Sequence, residues 1–142
     1  MPEKATVRRA KKDLKAGKSA STAAGEFVKR EMDHIREGEH GARSTKQAIA
    51  IGLSEARRAG ITAGAPRRGA ASPQTRKLAK QDLATGTGRR KAKSPSPKRS
   101  RVAQSALKRE SRTVALKKAR SRQAKSTATQ RTRRRRLNAK KK

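Results

Sequence analysis

The side chains in this sequence that could do chemistry are mostly cationic. Lys and Arg together number 42 against 10 Asp and Glu, so the formal net charge is +32. The chain has two histidines, one Phe as its sole aromatic residue, and no cysteine. Guanidinium and ammonium groups bind phosphate oxygens through charge-assisted hydrogen bonds. This composition therefore favours binding to a phosphate polymer.

The cations are concentrated toward the C-terminus. Residues 66–142 carry 28 Lys and Arg and two acids, whereas residues 26–61 carry seven Lys and Arg and six acids. We expect the phosphate contacts to come from the exposed cations of the C-terminal third. They are Lys98, Arg99, Arg101, Arg112, Lys117, Lys118, Arg120, Arg122, Arg131, Arg133, Arg134, Arg135 and Arg136, and Lys140, Lys141 and Lys142 extend the run.

These contacts should carry little sequence specificity. Base reading requires side chains that a rigid element places in a groove, and the C-terminal residues predict no such element. They also contain no aromatic side chain that could stack on an unpaired base. Ser94 and Ser96 each precede a proline, and phosphorylation there would remove positive charge. The pattern thus predicts phosphate contacts, mainly to duplexes.

The two histidines do not predict a metal site. His34 and Glu37 would share one helix face, with Asp33 beside them, but a metal site needs further converging ligands. We therefore interpret His34 and His40 as surface residues. The sequence also lacks a nucleophile with an evident base and a P-loop glycine motif. We expect neither an enzyme nor a bound cofactor.

The helices that would position the cations are predicted within residues 26–61, where basic and acidic residues nearly balance. Val28, Met32 and Ile35 recur at i, i+4 and i+7, which is typical of one helix face. Gly38 and Gly41 interrupt this pattern. A first helix of a hairpin is therefore expected to end near residue 37.

A second helix is predicted from Ser44. Ser44 and Gln47 match a capping box, in which the Ser hydroxyl accepts from the Gln47 amide and the Gln side chain returns to the Ser44 amide. Ile49, Leu53 and Ala56 follow at helical spacing. Gly52 is costly inside a helix, which indicates close approach of a partner helix.

The predicted fold class is mostly α, a small helical hairpin over residues 25–61. The basic N-terminal arm (1–24) and C-terminal tail (62–142) are expected to be largely disordered, because few apolar residues are available to order them. A third helix at residues 4–16, docked through Val7, Ala10 and Leu14, is an alternative for part of the arm. Residues 101–125 are expected to become helical only when phosphates neutralise their charge.

The central segment resembles a known family. The run from Gly25 to Met32, followed by Ser44-Thr45-Lys46-Gln47-Ala48-Ile49-Ala50-Ile51-Gly52-Leu53-Ser54-Glu55-Ala56-Arg57-Arg58-Ala59-Gly60, is similar to a short domain of unknown function found in small basic bacterial proteins. This resemblance implies a bacterial origin and brings no established activity. The Lys- and Ala-rich tail, with Ser96-Pro97-Lys98-Arg99, resembles the tails of linker-histone-like proteins, which implies a turn lying along the minor groove.

The function expected from the sequence is nonspecific, histone-like binding of duplex DNA, with neutralisation and compaction or bridging of the duplex. We expect a cytoplasmic, nucleoid-associated protein without a membrane segment, since the longest apolar run is only residues 48–53. One alternative is an RNA-binding, ribosome-associated protein. Another is a protein-interaction module in which the hairpin binds a partner or a second copy and the tail localises it.

Overall fold

The computed structural model describes residues 3–139, and this part of the chain is all-α. It contains six α-helices and one short 3₁₀ helix. The α-helices are α1 (Lys4–Lys15), α2 (Ala20–Glu37), α3 (Thr45–Arg58), α4 (Pro73–Gly86), α5 (Pro97–Arg109) and α6 (Lys117–Ala139), and the 3₁₀ helix is Thr113–Ala115. Among the described residues, no helix is both long and apolar enough to cross a bilayer.

The prediction of a largely disordered arm and tail is wrong. α1 occupies half of the N-terminal arm, and α4, α5 and α6 occupy most of residues 73–139. Two helices separated by residues 110–116 replace the single helix expected over 101–125. Apolar periodicity could not reveal α5 and α6, because neither helix buries a residue. Their sequences are instead rich in Ala, Lys, Arg and Gln, which have high intrinsic helix propensity.

Helices α2 and α3 pack closely as an antiparallel pair, and Gly52 sets their separation. A Cβ atom at Gly52 would lie 2.7 Å from Cα of Val28 and 2.9 Å from its backbone nitrogen. No side chain other than hydrogen fits at this crossing without moving one of the two backbones. The prediction that Gly52 marks the approach of a partner helix is confirmed.

The start of α3 carries the predicted Ser cap. Ser44 Oγ accepts a hydrogen bond from the Gln47 amide at 3.1 Å. The Gln47 side chain was expected to bond to the Ser44 amide. Its Oε1 instead accepts from the amide of the preceding residue, Arg43, at 2.7 Å. The first bond satisfies an amide that the first turn of a helix leaves without a partner, and the second ties the residue before the N-cap to this turn.

Helix α1 docks on α2 through small side chains. Ala10 is fully buried with Ala23, Ala24 and Phe27 in the first core cluster, and Val7 packs against it. Leu14, by contrast, is exposed. Because alanine lets two helix backbones approach closely, α1 packs without the large apolar stripe that would have made it obvious from the sequence.

The C-terminal part of the chain returns to complete the second core cluster. Val114 and Ala115 of the 3₁₀ helix are buried there together with Met32, Ile35, Ala42 and Ala48. Thr45 Oγ1 donates a hydrogen bond to the Val114 carbonyl at 3.0 Å, across 69 residues of chain. We call Thr113–Ala115 the anchor, because these three residues pack the segment between α5 and α6 against α2 and α3.

Helix α4 packs on α3 through a polar contact. The Asp82 carboxylate accepts hydrogen bonds from Ser54 Oγ at 2.5 Å and from Arg58 Nε at 3.0 Å. The helix begins at a Ser72 cap, whose Oγ accepts from the Thr75 amide at 3.1 Å, with Pro73 in the first turn. This Ser-Pro start is a recognised helix signal that the low-complexity appearance of the tail obscured.

Candidate nucleic-acid interface

Helix α5 presents three of the predicted cations in its first two turns. Ser96 is its N-cap residue and Pro97 its first residue, so the Ser-Pro-Lys-Arg sequence opens a helix and does not form the turn that the resemblance implied. Lys98, Arg99 and Arg101 are exposed. The Ser96 side chain makes no capping hydrogen bond, which leaves the amides of this turn available to an external acceptor.

Helix α6 carries the densest positive charge among the described residues. Its 23 residues include ten cations and no acid. They are Lys117, Lys118, Arg120, Arg122, Lys125, Arg131, Arg133, Arg134, Arg135 and Arg136. Four consecutive arginines at 100° per residue extend around most of the helix circumference. The result is a cationic rod about 34 Å long and charged on all sides.

Both cationic helices begin with charges of the unfavourable sign. The N-terminal end of a helix carries a partial positive charge, so cations in the first turn destabilise it and anions stabilise it. α5 has Lys98 and Arg99 in this turn and α6 has Lys117, Lys118 and Arg120, and neither first turn contains an acid. A phosphate group at either end would offset the repulsion and accept from free backbone amides.

The thirteen cations predicted from the sequence are all exposed. Within residues 3–139, none of the thirteen forms an ion pair with a carboxylate. Two of them contact other parts of the chain: the Arg112 guanidinium lies against Gly38, and Arg134 Nη2 donates a hydrogen bond to the Arg68 carbonyl. Lys140, Lys141 and Lys142 lie outside the described residues.

The two acids of the C-terminal half do not neutralise these helices. Asp82 pairs with Arg58 at 3.0 Å, and Glu110 lies 3.8 Å from Arg43. Both carboxylates are therefore directed toward α3 and the loop before it. Within residues 3–139, no carboxylate forms an ion pair with a cation of α5 or α6.

The structure also brings together cations outside the thirteen predicted from the sequence. α1 has Lys4, Arg8, Lys11, Lys12 and Lys15 along a groove of about 530 Å³. A second groove of about 360 Å³ beside α4 is lined by Arg76, Lys77, Lys80 and Arg90. The i, i+4, i+7, i+8, i+11 spacing of the α1 cations was visible in the sequence and indicated a stripe on one helix face. These surfaces are further candidates for phosphate contact.

The central helices correspond to a described family. Residues 15–68, from the end of α1 to the loop before α4, match the model of a family of unknown function, DUF6496. This segment is a DUF6496 domain. No curated protein and no solved structure matches the chain.

The core of the molecule extends beyond the DUF6496 domain on both sides. Ala10, in the first core cluster, precedes residue 15, and Val114 and Ala115, in the second, follow residue 68. The domain therefore supplies the α2–α3 pair, while α1 and the anchor cover the faces that this pair would expose alone. The expectation that residues 25–61 carry a domain of unknown function is confirmed.

Proposed function

We propose that this protein binds duplex DNA nonspecifically, through phosphate contacts from α5 and α6. The observation that supports this most strongly is α6, a helix of 23 residues with ten cations, no acid and no buried side chain. A duplex carries one phosphate charge per about 1.7 Å, so about 20 phosphates lie along the length of α6. Counterion release by the helix would provide most of the binding free energy.

The arrangement of the cations supports nonspecific binding even though the element is a helix. A helix that reads bases directs a few side chains from one face into the major groove. In α6, Arg133, Arg134, Arg135 and Arg136 point in successive directions around the axis, so no single face is reserved for base edges. Such a helix can engage phosphates of one duplex and leave cations free for a second, which would allow bridging.

RNA is the second candidate polymer. A-form duplexes offer the same phosphate charge, and arginine-rich helices suit both polymers. Single strands are disfavoured because Phe27, the sole aromatic residue of the chain, is buried in the core and cannot stack on a base. Duplex DNA is preferred here because no element of the described fold offers aromatic or loop-based RNA recognition.

The decisive experiment measures binding of the full chain to a random-sequence DNA duplex as a function of salt. With about eight phosphates engaged, the slope of log K against log salt should be about −7. Replacing Arg133–Arg136 with Gln should reduce the slope by about 2, because roughly half of these side chains can reach one duplex. Replacing the same four residues with Lys keeps the charge and helix propensity, and should leave the slope nearly unchanged.

Parallel titrations with double-stranded RNA and single-stranded DNA of the same length distinguish the candidates. Tighter binding to RNA at every salt concentration would replace the DNA proposal with the RNA alternative. A salt-independent affinity, or equal affinity of the Gln and wild-type proteins, would contradict an interface on α6. Far-UV circular dichroism of each variant confirms that helicity is retained.

A further inference from the structure

Three potential metal ligands meet at the C-terminal end of α2. The ligand atoms of Glu31, His34 and His40 all lie within 4.8 Å of one another. The sequence predicts no metal site here, and it does not point to Glu31: Glu37, which shares a helix face with His34, pairs with Arg30 at 3.2 Å, and the carboxylate beside the histidines is that of Glu31. The side chains of His34 and His40 are half-buried, with exposed fractions of 22% and 19%.

The end of α2 brings His40 back over the helix. Gly38 adopts φ 85°, and the Glu39 amide donates to the His34 carbonyl at 3.1 Å while the Gly38 amide donates to the Ile35 carbonyl at 3.3 Å. This is a Schellman motif, which reverses the chain direction at a helix end. His40 thereby joins Glu31 and His34, which share one face of α2 because they are three residues apart.

The loop that carries His40 is held in place by the C-terminal half of the chain. The Gly41 amide donates to the Leu107 carbonyl at 2.8 Å, and the Ala42 amide donates to the Ser111 carbonyl at 3.0 Å. A Cβ atom at Gly41 would collide with the Glu110 carbonyl. The position of His40 is therefore fixed by packing on both sides of the loop.

The Glu31 side chain lacks the partner that a buried carboxylate requires. Its exposed fraction is 2%, and its Oε1 has no hydrogen-bond partner. A buried carboxylate whose oxygen has no hydrogen-bond partner is unfavourable unless a proton or a cation neutralises it.

The His40 ring is oriented for coordination. Its Nδ1 lies 3.0 Å from the Gly41 carbonyl oxygen, which can only accept, so Nδ1 carries the proton. In the neutral ring, Nε2 then keeps its lone pair, and Nε2 lies 3.7 Å from Glu31 Oε2. A carbonyl that binds the second nitrogen of a metal-ligating histidine is a recurrent feature of zinc sites.

We propose that Glu31, His34 and His40 bind a Zn²⁺ ion. Ligand bonds of about 2.0–2.1 Å in a tetrahedral site place neighbouring ligand atoms about 3.4 Å apart, close to the 3.7 Å between Glu31 Oε2 and His40 Nε2. Two imidazoles and one carboxylate leave a fourth position for water or for Glu39, whose Oε2 lies 3.7 Å from His34 Nε2. Imidazole ligands select Zn²⁺ over Mg²⁺ and Ca²⁺, which prefer all-oxygen sites.

A simple ion pair explains the geometry less well. At 3.7 Å, the contact between His40 Nε2 and Glu31 Oε2 is too long for a hydrogen bond. It would also leave Glu31 Oε1 without a partner. A metal ion between the ligand atoms accounts for the separation, and coordination by both Glu31 oxygens would also give Oε1 a partner.

The test is a zinc titration of the full chain, freed of nucleic acid and metal, followed by calorimetry and thermal unfolding. We expect one equivalent of Zn²⁺ to bind and raise the melting temperature, while Mg²⁺ and Ca²⁺ do neither. Co²⁺ should give the visible absorption of a tetrahedral site. His34→Gln and His40→Gln should each weaken Zn²⁺ binding at least about tenfold.

Glu37→Gln is the matched control, because it removes an exposed carboxylate of the same helix outside the cluster; it should bind Zn²⁺ like the wild type. Failure of wild-type protein to bind one Zn²⁺, or equal affinity of His40→Gln and wild type, would overturn the proposal. If a histidine variant does not fold, the wild-type Co²⁺ spectrum decides: octahedral, water-like absorption would also overturn it. All measurements are made without DNA, so their outcome is independent of the proposed function.

Discussion

Gly52 and Gly25 lie inside neighbouring helices but in different surroundings. A Cβ at Gly52 would press on the Val28 backbone, whereas a Cβ at Gly25 would meet nothing within 4 Å. Alanine is intrinsically more favourable than glycine in a helix by about 1 kcal/mol. The same substitution should therefore have opposite effects at the two positions.

Gly52→Ala should destabilise the protein by about 1–3 kcal/mol, because α2 and α3 must move apart to admit the methyl group and the overpacking exceeds the gain in propensity. Gly25→Ala should stabilise it by up to about 1 kcal/mol. Urea unfolding followed by circular dichroism measures both. Stabilisation by Gly52→Ala would mean that the two helices are not in close contact.

Glu31 should make the stability of the metal-free protein depend on pH. Its pKa is raised from the ordinary value of 4.5 to about 7, mainly by burial. Between these values the folded protein keeps a proton that the unfolded chain releases, so stability falls as the pH rises through this range. The loss would be on the order of 3 kcal/mol if the whole shift acted on folding.

In the presence of a chelator, Glu31→Gln should remove this dependence and leave the protein more stable than wild type above pH 7. The exposed Glu37→Gln variant should follow the wild-type profile. Unfolding free energies measured from pH 5 to pH 8 test the prediction. Parallel profiles for wild type and Glu31→Gln would show that the Glu31 carboxyl is not held protonated by the fold.

At the scale of the helix, the first turn of α6 determines how well this element forms without an anion. Replacing Lys117 and Lys118 with Glu converts two unfavourable charges into favourable ones, which should stabilise the turn by about 1–2 kcal/mol. Amide hydrogen exchange near the start of α6 should slow by about five- to thirtyfold. Replacing Lys117 and Lys118 with Gln should give about half of this gain in free energy. Faster exchange in the Glu variant than in the wild type would contradict the unfavourable effect of the two lysines on the first turn.

The helices differ in how far the sequence could predict them. α2 and α3 have apolar periodicity, and Ser44 marks the start of α3. α6 has no such periodicity, since its helicity comes from propensity and none of its side chains is buried. The Ser72-Pro73 start of α4 was present in the sequence, but the tail composition favoured disorder and outweighed it.

The residues of the two candidate sites also differ in how far the sequence could predict them. The exposure of the α5 and α6 cations follows from composition, because charged side chains are almost never buried without a partner. The cluster of Glu31, His34 and His40 depends on the turn at Gly38 and on a loop held by distant residues. Contacts between residues so far apart in the chain cannot be deduced from local spacing.

At the scale of the whole molecule, the anchor joins α5 and α6 to the core. Val114 is 8% exposed and lies among α2 and α3 residues, whereas Val102 of α5 is 64% exposed. Val114→Ala should therefore cost about 2 kcal/mol of stability, and Val102→Ala almost none. Chemical unfolding of the two variants provides the comparison, and equal stabilities would show that the anchor is not seated in the core.

Truncation separates the role of the anchor from that of the charges. Deleting residues 117–142 keeps Thr113–Ala115 and should preserve much of the thermal stability while greatly weakening DNA binding. Deleting residues 110–142 also uncovers Met32 and Ile35, and should lower the melting temperature by several degrees more. Identical melting temperatures for the two truncated proteins would contradict this assignment.

The location of the anchor between α5 and α6 also has a consequence for protein turnover. Lys and Arg are frequent in this half of the chain, so trypsin-like proteases have many cleavage points there. Any cut on the N-terminal side of Thr113 detaches a core side chain together with the cations of α6. We therefore expect cuts between α5 and Thr113 to remove the α6 cations and destabilise the domain in one event, whereas cuts within α6 remove cations and leave the anchor in place.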